Sequence, residues 1–244
     1  MDDYLSLADE DFAKASFMGK TLFKNNYVDV TKYSVETDEQ ARETGRRKGD
    51  YYTVYYDRRR LGMKRQDEEI KKRIVDVLVD ACDLTRPLAI GLGNQKITSD
   101  SLGCETVDKL AEMKTRAMLF KPWVYGACKI ESADSVKGIV SVTAPTVILA
   151  IDALGCLGID KLFSSFQLST SGITPGEAVG NARVRLDRAF LGVPVVSIGV
   201  PLISVNPSEE VCVTPKDVDV VVDHTAKILS SAIATAIDKK VFRV

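Results

Sequence analysis

The stretch Thr146–Asp152, TVILAID, restricts the fold of this chain more than any other. A strand with one wet face alternates apolar and polar residues, because successive side chains point to opposite faces. The unbroken apolar run from Val147 to Ile151 instead suits a strand covered on both faces of a parallel sheet. The run then stops at an acid, Asp152, at the expected carboxyl end of the strand.

The surrounding pattern supplies the rest of such a sheet. RPLAIGLGN is a short apolar strand that breaks into glycines, and YYTVYY (51–56), SSFQLS and VPVVSIGVP read as further strands. Ile70, Ile74, Val77, Leu78 and Ala81 recur at helical spacing and predict a helix over 66–83. Leu102, Val107, Leu110, Met113 and Met118 predict a second helix, and SADSVKGIV a third. A last helix opens with TPKDVD, Thr214 as cap and Pro215 at the first helical position, and runs to about Lys239 with Val218, Val221, Val222, Leu229, Ile233 and Ile237 apolar. Strands alternating with helices predict an α/β fold: a three-layer sandwich with a mainly parallel sheet. Residues 1–50 are polar and weakly periodic, and read as an N-terminal arm or pro-segment; residues 51–244 read as a single α/β domain.

Composition removes several function classes. A formal charge of -1 and a pI near 6.0 argue against an overall electrostatic hold on nucleic acid or an anionic membrane. The five cysteines Cys82, Cys104, Cys128, Cys156 and Cys212 contain no C-x-x-C pair, which suits reduced thiols. The start MDDYLSLADEDFAK lacks a basic flank and apolar block, no apolar run reaches bilayer length, and the expected location is cytoplasmic. His224 is the single histidine, which excludes the H-E-x-x-H motif, and in the helical pattern VVDHTAKIL it reads as a surface or satisfied side chain before a catalytic one. The glycines of GLGN do not form a dinucleotide fingerprint, so neither cofactor nor metal is expected.

In open α/β sheets ligands bind at the carboxyl ends of the strands, and two acids fall there. Asp152 follows VILAI, and Asp100 lies in GLGNQKITSDSLG, between a strand and the next helix. Two nearby carboxyls cannot both ionise cheaply, so a pair holds one proton and offers an acid and a base together. Asp100 equally fits a helix N-cap, and Asp152 a cap on the turn after its strand. Gly93 and Asn94, with Ser171, Gly172 and Gly176 of STSGITPGEAVGN, are the candidate substrate-binding positions, offering hydroxyls and backbone N–H groups.

GLGNQKITSDSLG, VILAIDALG, STSGITPGEAVGN, LGVPVVSIGVP and VTPKDVDVVVD, in this order, resemble the germination protease family, spore endopeptidases that degrade small acid-soluble spore proteins. The resemblance implies an aspartic endopeptidase with Asp100 and Asp152 catalytic, and a phosphorylase/hydrolase-like fold similar to hydrogenase maturation proteases. It also implies a homotetramer in the forespore or spore core, and a zymogen that removes its own N-terminal segment. YSVETDEQARE (33–43) is similar to the family's processing junction, with the cut between Asp38 and Glu39. Three departures stand out: Thr170 and Thr174 occupy positions where the family carries an aspartate and a histidine, SVNPSEE replaces a much longer segment, and WVYGACKI replaces a methionine- and glycine-rich loop. Two alternatives accompany this reading: a metal-dependent maturation peptidase, and a non-catalytic paralogue that binds spore proteins.

Overall fold

The computed structural model describes residue 12 and residues 15–124, 128–176, 183–206 and 211–241. Among the described residues nine strands form one sheet: β1 Lys20–Lys24, β2 Val28–Val35, β3 Gly49–Tyr56, β4 Pro87–Gly91, β5 Met118–Phe120, β6 Val147–Cys156, β7 Ser165–Ser169, β8 Val195–Asn206 and β9 Val211–Val213. Their order is β1-β2-β3-β7-β8-β6-β4-β5, with β9 paired to β8. The neighbours β5-β4-β6-β8 run parallel and form the half expected from TVILAID. Beyond β8 the sheet continues antiparallel through β7, β3, β2 and β1, so the α/β sheet is mixed.

Helices cover both faces of the parallel half. On one face α2 (Lys64–Ala81), α3 (Leu102–Glu112) and α6 (Val218–Val241) bury Ile70, Ile74, Leu78, Leu110, Leu229 and Ile233 against Leu149, Ile151 and Ile198. On the other, α4 (Ser132–Thr143) and the short α5 (Arg188–Leu191) set Ala133, Val136, Val140 and Leu191 against Leu88, Ile90, Ile148 and Ala150. Each fully buried Leu or Ile of this kind contributes about 1.5–3 kcal/mol. Over β8, β7 and β3 the second face turns polar, with Ser197, Gln167 and Ser169. There the helix layer gives way to a cleft.

Four expectations are corrected. The second helix does not reach Met118: it ends at Glu112, Lys114 adopts a left-handed φ of 52°, and Met118–Phe120 pairs with Leu88–Ile90 as edge strand β5. The last helix starts at Val218 after a turn closed by Val218 N–H to Pro215 O, so Thr214 and Pro215 do not open it. That helix has the length and hydropathy of a membrane span over Val218–Lys240, contrary to the expectation for any segment, but Val222, Ala226, Leu229 and Ile233 lie in the core.

The fourth concerns residues 1–50. Residues 20–35 are not an unpaired arm: β2 pairs with β3 over eight residue pairs, and Val28, Val30 and Val35 are buried. The Arg73 guanidinium lies 3.9 Å from the Phe23 ring centroid and fastens β1 to α2. α1 (Asp38–Thr44) follows, capped by Thr37 and Gln40 in a reciprocal capping box. Polar alternation on an antiparallel extension, with only the valines facing the core, is what made this segment read as an arm.

Candidate active site

Backbone-to-backbone packing at the end of β4 brings the two acids together. Leu92 N–H donates to Ile151 O at 2.8 Å, one residue before Asp152. The first turn of α3 rests directly on this junction, and a Cβ on Gly103 would stand 2.3 Å from Ile151 O and 2.5 Å from Leu92 N. Only glycine fits such an approach. The chain then turns through Gly93, at φ 91°, where a Cβ would stand 2.0 Å from the Asp100 carbonyl oxygen. The 3-10 turn Thr98–Asp100 is thereby folded back over β6 and β8.

Asp100 is therefore not the cap of α3. Its Oδ2 accepts from Asn94 N–H at 2.7 Å, while Ser101 occupies the N-cap position. Nor does Asp152 cap a turn, because β6 runs four residues past it to Cys156. It sits mid-strand, 6% exposed, its Oδ1 accepting from Ala153 N–H at 2.9 Å.

The electrostatics separate the two groups. Burial raises the Asp100 carboxyl above its usual range, against the Asn94 N–H. Burial acts more strongly on Asp152, the Asp100 charge adds to it, and together they push Asp152 well above the ordinary carboxylate range. A proton shared by the pair is therefore held preferentially by Asp152, and the half-buried Asp100 is the more readily ionised partner. Cys104 adjoins this pair: its Sγ lies 3.8 Å from the Gly91 and Gly93 carbonyl oxygens, and burial pushes its thiol up to about 11. Among the described residues no group of three or more His, Cys, Asp or Glu is arranged to hold a metal ion.

A cleft of about 330 Å³ lies beside the pair on the polar half of the sheet. It reaches Leu154 and Gly199, the latter the cross-strand partner of Asp152, but not the two carboxyls themselves. Of the candidate substrate-binding positions Ser171 and Gly172 line it, whereas Gly93, Asn94 and Gly176 do not, the first two shaping the Asp100 turn instead. Ser171 is held by Ser169 Oγ at 2.9 Å and by Arg185 Nη2, which donates to its carbonyl at 2.8 Å. Thr174 Oγ1 accepts from Arg185 at 3.0 Å, and Thr170 Oγ1 accepts from Asp50 N–H at 2.9 Å, so both loop threonines have structural partners.

Sequence reasoning ranked the RRK run (46–48) as solvated charge ahead of contact with an acidic partner, and missed Arg185 in the cleft's cationic wall. Arg46 and Arg47 follow α1 and line it beside Arg185. The RRK run was the available signal, though a solvated charge run reads the same way; nothing in NARVRLD distinguishes Arg185. Asp38 and Glu39 lie in the first turn of α1, away from the cleft lining, with Asp38 paired to Lys48 at 2.8 Å. His224 pairs with Asp67 at 2.9 Å and ties α6 to α2.

A family model described as germination protease matches residues 10–208. The chain belongs to the germination protease family. It is 31% identical to a germination protease of Oceanobacillus iheyensis over 91% of this chain and 65% of that protein. The germination proteases of a Geobacillus species and of Bacillus licheniformis are 30% and 31% identical over 82% and 77% of this chain, and 60% and 55% of their own lengths. The chain thus spans between 55% and 65% of these three curated relatives.

Proposed function

We propose that this chain is an endopeptidase in which Asp100 and Asp152 share the acid and base work of peptide hydrolysis, acting on small acid-soluble spore proteins. The observation that carries the reading is a buried carboxyl, Asp152, whose pKa is raised by burial and by the Asp100 charge, one residue beyond the carboxyl end of β4 in the parallel half of the sheet. In this mechanism water attacks the scissile carbonyl carbon and gives its proton to the Asp100 carboxylate, while Asp152 donates its proton to the carbonyl oxygen. The tetrahedral intermediate collapses as the C–N bond breaks and the departing nitrogen takes the proton held by Asp100. As the carbonyl re-forms, a hydroxyl of the intermediate returns its proton to Asp152, so the neutral acid and amine leave and both carboxyls regain their starting states. Substrate backbone approaches through the cleft at Gly199, and Ser171 and Arg185 line its path. Family membership supports the peptidase class and the link to germination. Self-processing between Asp38 and Glu39 belongs to the same proposal, since both residues are exposed.

The test is cleavage of a purified small acid-soluble spore protein by the parent chain, Asp100→Asn and Asp152→Asn. Each substitution is expected to reduce kcat by about 10²–10⁴-fold. Undiminished cleavage by both variants would remove the assignment.

A further inference from the structure

The cleft and Asp152 share one face of the sheet but do not connect. Asp152 and Gly199 stand directly opposite each other on β6 and β8, so their side-chain positions project to the same face, about 5 Å apart. Gly199 lines the cleft with Ser197, whereas Asp152, 6% exposed, is not among its described lining residues. The side chain seated over that glycine belongs to Leu154, two residues beyond Asp152 on β6. A Cβ built on Gly199 would stand 2.5 Å from Leu154 Cγ and 2.8 Å from both Cδ1 and Cδ2. The seat therefore exists only because residue 199 has no side chain. Leu154 itself lines the cleft, so it forms the end of the cleft that abuts Asp152. The backbone beside it is irregular. The β6–β8 register slips between Leu154, opposite Pro201, and Gly155, opposite Ile203, which leaves Leu202 as the extra residue of a bulge. A bulge re-aims the side chains next to it. Leu154 is half-buried where Ala153, Gly155 and Cys156 around it are buried, so it alone borders open volume into which it can turn.

We propose that Leu154 is the gate between the cleft and Asp152: its side chain closes the path in this structure and swings off Gly199 to admit a substrate. A change of staggered rotamer is enough, because the atoms over Gly199 are the far end of a flexible side chain and no backbone has to move. Closed, the gate keeps water from Asp152 and preserves its neutral carboxyl. Open, it lets a carbonyl oxygen reach that carboxyl across Gly199. The consequence for catalysis rests on the peptidase reading above; the closure itself does not, and it is measured without turnover.

The probe is a water-soluble carbodiimide with glycinamide near pH 5, which converts an accessible carboxyl to an amide that peptide mass spectrometry locates. Exposed Asp38 serves as the reference. Leu154→Ala is expected to raise the labelling rate of Asp152 relative to Asp38 by roughly tenfold or more, because it removes a closed state that holds the parent most of the time. Leu154→Met keeps the volume of the plug and is expected to label like the parent. Amides of Leu149, Ala150 and Ile151 are expected to exchange equally slowly in all three chains. Equal labelling of Asp152 in the parent and the alanine variant overturns the gate, and so does labelling of the methionine variant at the alanine rate. Faster labelling accompanied by faster exchange in β6 means general loosening and overturns it too. In the cleavage assay the alanine variant hydrates Asp152, so the basic limb of its kcat profile is expected at lower pH than the parent's. If the labelling results hold while neither aspartate substitution slows cleavage, the gate stands and the peptidase reading falls.

Discussion

Asp152 is a carboxyl group that the fold keeps at a cost. Burial removes hydration from its charged form, and the Asp100 charge repels that form further. Below the ordinary carboxylate range both the folded and unfolded chains hold this proton, and the group costs no stability. As pH rises through that range the unfolded chain releases the proton while the folded chain keeps it. Each pH unit then lowers stability by up to about 1.4 kcal/mol until the raised folded pKa is reached. Asp152→Asn cannot ionise, so it is expected to be more stable than the parent at pH 7 and equal to it near pH 3, by urea titration at both pH values. A parent chain more stable than the variant at pH 7 would contradict this account. That the acid follows a strand buried on both faces was legible in VILAID, but the strand does not end at it; Asp152 lies just past the end of the neighbouring β4 instead. Its environment was not legible: the strand runs on to Cys156, and burial depends on the turn that Gly93 and Asn94 fold over it.

Elements meet at the site through glycine, and two glycines in helices show opposite physics. Gly103, in the first turn of α3, faces backbone atoms that cannot move aside, Ile151 O and Leu92 N and O, all within 2.5 Å of a Cβ built there. Gly138, in the middle of α4, is exposed and has nothing within 4 Å of such a Cβ. Alanine gains up to about 1 kcal/mol of helix propensity over glycine at an interior helical site. At Gly103 overpacking outweighs that gain, and Gly103→Ala is expected to destabilise by about 2 kcal/mol and to displace Asp100. Gly138→Ala is expected to stabilise by about 0.5–1 kcal/mol. Thermal melting of the two variants checks the pair, and equal shifts of the same sign would refute the packing argument. Helix period identified α2 and α6 because their apolar residues form one stripe. It ran on from α3 into β5 because Ala117–Phe120 is apolar in either conformation, and the left-handed Lys114 that divides them leaves no mark in composition.

At the scale of the molecule the N-terminal strands are part of the sheet and also lead the chain to the cleft wall. β2 is paired along its full length, from Val28 opposite Tyr56 to Val35 opposite Gly49, and β1 is paired outside it. Buried Val28, Val30 and Val35 contribute roughly 5 kcal/mol or more of gross burial between them. A cut between Asp38 and Glu39 removes none of these contacts, because it falls in the exposed first turn of α1, outside the ladder. It severs the covalent path from β2 to Arg46 and Arg47 and opens the Thr37–Gln40 capping box, so the change it makes is local to the cleft wall. A chain with a specific protease site placed in the exposed stretch 36–39, and nicked there, is therefore expected to keep its N-terminal fragment at micromolar concentration. The two pieces should co-elute in size-exclusion chromatography under native conditions and separate in denaturant. Amides of Val28–Val35 should exchange as slowly in the nicked protein as in the intact one, while those of Glu39–Thr44 exchange faster. A fragment that leaves under native conditions would mean that the β2–β3 ladder depends on its covalent connection, and that residues 20–35 are a detachable arm after all.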